Sequence, residues 1–238
     1  MQQQYYDIIC RGTEHEDMLV ILQFLKGMVG NQFSFLNYYK EIPVSYDATL
    51  LNVDHEMAEF SVHEYQAKAI GLDHCTLIRA HAKSSVKDDL IAEAFYVDSH
   101  KNRVVLCKFG YVTIRSDKRR YVRVQTDHPV LVEIVLPNGI QKGNVRNISL
   151  GGAAMSVMSS DMLEPGSEVK MIIKLPDLVT NTLTMVEVAA TVIGVKGESS
   201  PFLSIIEFST DQKSQQLIAH YINQRQIEII RSLKYIVA

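Results

Sequence analysis

Arg119 and Arg123 close an Arg-x-x-x-Arg run, and some two dozen residues later Asn147, Ser149 and Gly152 form Asn-x-Ser-x-x-Gly. Each guanidinium can grip phosphate oxygens, or the O6/N7 edge of a guanine, through paired hydrogen bonds. Asn and Ser add short, directional polar contacts, and glycine lets backbone approach closely. Together these residue types suit a small nucleotide anion. Lys118 and Arg120, beside and within the first run, and Gly151, within the second, are further candidates. The stretch 115–123 holds five cations and one anion in a chain whose net charge is −3. So confined a basic patch fits a small polyanion better than a long duplex. Taken alone, 115–123 reads as a solvated linker and 147–152 as a satisfied turn. Their conjunction is what points to a site.

Other chemistries find no support. There is no nucleophile elbow, P-loop, glycine-rich dinucleotide fingerprint or paired set of metal ligands, so neither catalysis nor a metal is expected. His55, His63, His74, His81 and His100 are scattered, and Asp54-His55 and Asp73-His74 read as turn residues. Cys10, Cys75 and Cys107 are odd in number and widely spaced. They are expected as buried, reduced thiols, in keeping with a reducing cytosol. The start, Met-Gln-Gln-Gln-Tyr, has neither a basic segment nor an apolar core. The most apolar stretch, 18–29, is broken by Gln23 and Lys26 and is too short to span a bilayer. A cytoplasmic location without a membrane span is expected.

The elements that must hold these residues read as mainly β. With 238 residues, 47% of them hydrophobic, the chain can build two modest domains. Thr13 and Glu16 form a capping box ahead of a helix carrying Met18, Leu19, Ile21, Leu22, Leu25 and Met28, with Gly30 as its stop. This stripe is expected to pack across the end of a barrel. Short strands are predicted at 45–52, 57–62, 66–71, 74–81, 90–97, 103–108 and 111–114. The segment 109–123 reads as an interdomain connector. Strands follow at 129–136, 142–148, 153–157, 169–175, 184–195 and 202–208, with a Pro137-Asn138-Gly139 hairpin turn and a helical turn at 159–163. An apolar stripe with Leu217, Ile218, Tyr221, Ile222, Ile229, Ile230 and Leu233 closes the chain as a helix over about 210–234. The fold class is therefore two small, closed or split β-barrels in tandem, with an N-terminal and a C-terminal helix. The domains are placed at 1–112 and 113–238.

The two motifs, in this order and inside this run of strands, resemble the PilZ family of cyclic di-GMP receptors over roughly 115–208. The chain before them resembles, less specifically, the N-terminal domain of the flagellar-brake type. The resemblance implies that Arg119 and Arg123 clamp a guanine edge and a phosphate. It implies that Asn147 and Ser149 bond the other guanine and that Gly152 keeps the barrel surface open. Asn147 stands where the family has Asp or Asn. By the same resemblance no cofactor is needed beyond the ligand, one or two ligands bind, and Lys118 influences which. Ligand binding would rearrange the two domains and regulate a protein partner in motility, adhesion or biofilm formation, with the flagellar motor as one candidate. A homodimer is left open. The competing class is a nucleic-acid-binding barrel with Tyr121 as a stacking surface. The absence of Trp, the few aromatics in the second half and the negative net charge weigh against it.

Overall fold

The computed structural model describes residues 5–80, 88–116, 119–136, 139–160 and 163–236. It divides into two compact units. The first comprises the chain up to Tyr39, Pro43–Arg119 and the residues from Arg231; the second comprises Lys40–Ile42 and Arg120–Ile230.

In the first unit, β1 (Tyr6–Ile9) is followed by α1 (Glu14–Lys26), β2 (Gln32–Tyr39), β3 (Ile42–Asp54), β4 (Met57–Ser61), α2 (Glu64–Asp73), β5 (Cys75–Arg79), β6 (Asp89–Asp98) and β7 (Arg103–Ile114). The sheet order is β1-β7-β4-β3-β2-β5-β6, and β6 also pairs with β7. The sheet thus closes into a six-stranded barrel with β1 laid along β7. The capping box forms as read: the Glu16 N–H donates to the Thr13 hydroxyl at 3.2 Å, and the Thr13 N–H donates to the Glu16 carboxylate at 2.8 Å. Met18, Ile21, Leu22 and Leu25 join Phe35, Phe60, Leu90 and Leu106 in one apolar cluster. Fully burying an aliphatic or aromatic side chain is worth about 1.5–3 kcal/mol, which is why the stripe seals the barrel.

Several expectations need correction here. α1 stops at Gly27, whose N–H meets the carbonyls of Phe24 and Leu25. Gly30 instead turns the chain at φ +90° and bonds the Leu50 carbonyl. The predicted strand 66–71 is helix α2. His63 caps it, and Gln66, Ala67 and Ile70 recur at helical spacing on its buried side. β1 and β2 were not foreseen. Nor was the continuity of β7, which runs unbroken through Phe109 and Gly110 and so takes 109–114 out of the connector. Cys75 is buried, but Cys107 is only half-buried and Cys10 is exposed. His55 and His74 do occupy turns, at φ 50° and 56°. His81 lies outside the described residues.

In the second unit, β8 (Val124–Leu136), β9 (Gly139–Ser149), β10 (Gly152–Val157), β11 (Glu168–Pro176), β12 (Leu183–Lys196) and β13 (Phe202–Ser209) close in the order β10-β13-β12-β11-β8-β9. Alternate residues point inward, so that Val132, Ile134, Ile148, Met155, Met171 and Val192 fill the barrel. β8 starts five residues before its predicted position. Parts of the expected turns at 137–139 and 159–163 lie outside the described residues. The chain closes with α3 (Gln212–Lys234), capped by the Asp211 carboxylate, which accepts from the Ser214 N–H at 2.6 Å. Ile218, Tyr221 and Ile222 of α3 are buried. Among the described residues no helix is long and apolar enough to cross a membrane.

Candidate functional site

The arginine run begins just past β7. Arg115 is tied to β1: its guanidinium pairs with Asp7, and its N–H donates to the Tyr5 carbonyl at 2.8 Å. Ser116 is buried and hydrogen-bonded to the Tyr38 hydroxyl. The Arg119 N–H donates to the Ser116 carbonyl at 3.0 Å, and its guanidinium lies 5.1 Å from the Tyr5 ring centre. The Tyr5 ring in turn stacks on Tyr38 at 4.0 Å. Arg119 is therefore held over an aromatic ring, a contact worth about 0.5–1 kcal/mol at a partly exposed site. The division between the two units falls between Arg119 and Arg120, inside the motif. Lys118 lies outside the described residues.

In the second unit the run continues with exposed Arg120, whose guanidinium sits 5.3 Å from the Tyr121 ring. Tyr121 rests on the second motif. A Cβ built on Gly151 would lie 2.9 Å from Cδ2 of that ring, so only glycine admits the contact without displacing it. Arg123 is half-exposed and immediately precedes β8.

The second motif spans the end of β9 and the start of β10. Asn147 pairs with Gln125 of β8 and Ala154 of β10, and Ser149 pairs with Gly152. Leu150 and Gly151 form the loop, and the Gly151 carbonyl accepts from the Phe208 N–H at 3.0 Å. Ile148 is fully buried in the barrel, so Asn147 and Ser149, on either side of it, face outward. Read alone, 147–152 is a turn, and the side chains of both were expected to be exposed. They are strand residues instead; Asn147 is half-buried, and Ser149, at 7% exposure, is buried. The Ser149 hydroxyl donates to the Gly152 carbonyl at 3.2 Å and braces the hairpin. Gly152 answers a backbone demand. A Cβ there would lie 2.2 Å from the Ile206 carbonyl oxygen on β13.

The antiparallel register joins the two motifs. Val124 pairs with Ile148, and both point inward. Gln125 pairs with Asn147, and Arg123 immediately precedes Val124, so the strand leading out of the arginine run lies alongside the one that carries Asn147 and Ser149. The second unit therefore carries Asn147 and Ser149 on one side of β9, with Tyr121 packed on Gly151 and Arg123 one residue ahead of the strand that pairs with β9. These residues supply a cation, a side-chain amide, a hydroxyl and an aromatic ring. The packing of Tyr121 on Gly151 escaped the sequence reading, in which Tyr121 figured only as a stacking surface for nucleic acid. A cavity of about 630 Å³ in the first unit, lined in part by Tyr6, Ile8, Met18, Ile91 and Gly110, contains none of the motif residues and is no part of this site.

Asn147→Ala and Ser149→Ala are expected to differ. Asn147→Ala should leave the melting temperature within a few degrees and act on ligand affinity alone. Ser149→Ala removes a partly buried hydrogen bond and should also cost about 1 kcal/mol of stability. Urea titration of both variants checks this; equal stability of the two would contradict the bracing role of Ser149.

Residues 117–224 match the family model of the PilZ domain. Similar solved structures include the inhibitor of motility MotI/DgrA of Bacillus subtilis, 17% identical, covering 84% of this chain and 97% of that one at a TM-score of 0.43. YcgR of Escherichia coli in complex with c-di-GMP is 10% identical, covering 98% of each chain at 0.43. The MrkH–c-di-GMP complex of K. pneumonia is 15% identical, covering 95% and 99% at 0.42. No curated protein matches the chain.

Proposed function

The chain carries a PilZ domain over residues 117–224, and from that premise we propose that it is a cyclic di-GMP receptor and acts as an effector, not as an enzyme. The observation that carries the reading is the register of β8 on β9, which pairs Val124 with Ile148 and Gln125 with Asn147 and so brings the backbone just after Arg123 beside the second motif. Cyclic di-GMP presents two phosphates and two guanines. Arg119 and Arg123 clamp a guanine edge and a phosphate, and Asn147 and Ser149 bond the other guanine through donors and acceptors that match its edge. Lys118 and Arg120 add positive charge near the phosphates. Gly151 and Gly152 keep the hairpin free of side chains.

The signal arises because the arginines are carried by the connector and the Asn-Ser pair by the barrel. A ligand that engages both stabilises one arrangement of the two units over others by its differential affinity for them. The rearranged receptor then acts on a protein partner in motility, adhesion or biofilm formation, the flagellar motor being one candidate. The work is done in the cytoplasm.

Hydrogen exchange with and without cyclic di-GMP tests the assignment. Since 109–114 are strand, they should exchange slowly in both states. Protection on adding ligand should appear at 115–123 and at 147–152. Unchanged exchange in both segments at saturating ligand would contradict the site. A change at 147–152 alone would remove the connector from the mechanism.

A further inference from the structure

Helix α3 directs one buried guanidinium at the strand leading out of the arginine run. Arg225 is only 2% exposed. Its Nε donates to the Gln125 carbonyl at 2.9 Å, its Nη1 donates to Glu228 at 2.5 Å, and its Nη2 lies 2.5 Å from Asp127. The last contact is an ion pair without hydrogen-bond geometry. Lys40 reaches the same Asp127 oxygen at 2.5 Å, and the Gln125 N–H donates to the Lys40 carbonyl at 3.1 Å. All of these residues belong to the second unit. Burial opposes the charge on Arg225, but its ion pair with Asp127 and its bond to Glu228 outweigh it and raise the pKa above the ordinary value.

Such a cluster is a poor device for stability alone. Taking charges out of water costs several kcal/mol per ion, and well-packed apolar residues often serve as well. What it does well is to fix a register. β8 and β9 pair at Gln125 and Asn147 and resume at Val130 and Val145, so that four residues of β8 face one of β9. Unpaired backbone of this kind does not locate itself through the ladder. Arg225 ties down Gln125 and Asp127, where this irregular stretch begins. Gln125 lies opposite Asn147 and two residues beyond Arg123.

We propose that Arg225 is a positioning residue of the ligand site: it fixes Gln125 in register and so aims the backbone carrying Arg123 at the face that holds Asn147 and Ser149. It does so without touching ligand. The proposal rests on the reading of that face as the cyclic di-GMP site.

Arg225→Lys keeps the charge but loses the planar fork that reaches three partners at once. Calorimetry with cyclic di-GMP on the wild type, Arg225→Lys, Arg123→Ala and the double variant forms the test. Affinity should fall about tenfold in the wild-type background and less than about twofold in the Arg123→Ala background, where no guanidinium remains to be aimed. Equal fold-losses in both backgrounds, or no loss in the first, would overturn the proposal. Should Arg225→Lys not fold, Asp127→Asn, which releases one of the three partners, takes its place under the same criteria. Should the wild type bind no cyclic di-GMP, the site reading has failed and amide exchange in the ligand-free chain decides the positioning role. Faster exchange at Gln125 and Asn147 in the variant, with β12 unchanged, supports it; unchanged exchange at both residues overturns it.

Discussion

Replacing Arg119 and Arg123 together by alanine should weaken cyclic di-GMP binding at least a hundredfold while leaving the chain folded. A bidentate, charge-assisted contact is worth about 1–3 kcal/mol, so two lost contacts remove roughly 3–5 kcal/mol, against about 1.4 kcal/mol per tenfold in affinity. The fold should be indifferent. Both side chains are half-exposed, and both residues lie outside the strands, one past the end of β7 and the other just before β8. The stability at stake is small: the Arg119 contact with the Tyr5 ring is worth about 0.5–1 kcal/mol. Each single variant should lose about tenfold or more. Calorimetry and thermal melts on the same samples give the answer, and unaltered affinity in the double variant would refute the site.

Gly152→Ala should do the reverse, damaging the fold before it touches the ligand. Its new methyl group would meet the Ile206 carbonyl oxygen at 2.2 Å, a backbone atom that no rotamer change can remove. β10 would have to part from β13 at the position where Gly152 pairs with Glu207, opening one seam of a closed barrel. Overpacking a tight interior typically costs about 1–3 kcal/mol, and a clash this close against backbone belongs at or above the top of that range. Gly151→Ala is the matched control. Its methyl would press on the Tyr121 ring at 2.9 Å, and a side chain can swing aside. It should cost about 1 kcal/mol or less, within the reach of a local rearrangement. Urea unfolding of the two variants compares them directly, and equal stabilities would contradict the structural role given to Gly152.

The strands most legible in the sequence were those with one face buried, because burial on one side imposes the period of two that β11 and β12 display. β2 showed no such alternation: five successive residues, Phe33 to Asn37, are buried, and the signal vanished with the exposed face. In α2, short apolar residues between polar ones could be read at either period, and the capping contact of His63 with the Tyr65 N–H, which settles the matter, is invisible before folding. Gly110 looked like a break in β7 because glycine so often is one. Here it stays in register opposite Ile91.

The site was legible as a set of residue types, not as a surface. The spacing of Asn147, Ser149 and Gly152 pointed to an exposed turn, whereas Asn147 and Ser149 are residues of β9. It could not reveal that Ser149 is buried or that Tyr121 rests on Gly151, since both depend on where the chain after β7 comes to lie. Nor could it single out Arg225, one charged residue among the polar positions of a long helix. Its meaning comes from the carbonyl of Gln125, a hundred residues away in sequence.

Calorimetric titration of the whole chain with cyclic di-GMP, beside GTP and a short oligonucleotide, tests the central claim most directly. Saturable binding of cyclic di-GMP at micromolar affinity or tighter, about −8 kcal/mol or better, with far weaker binding of the other two, is the expected result. No binding of cyclic di-GMP, or oligonucleotide binding of equal strength, would contradict it.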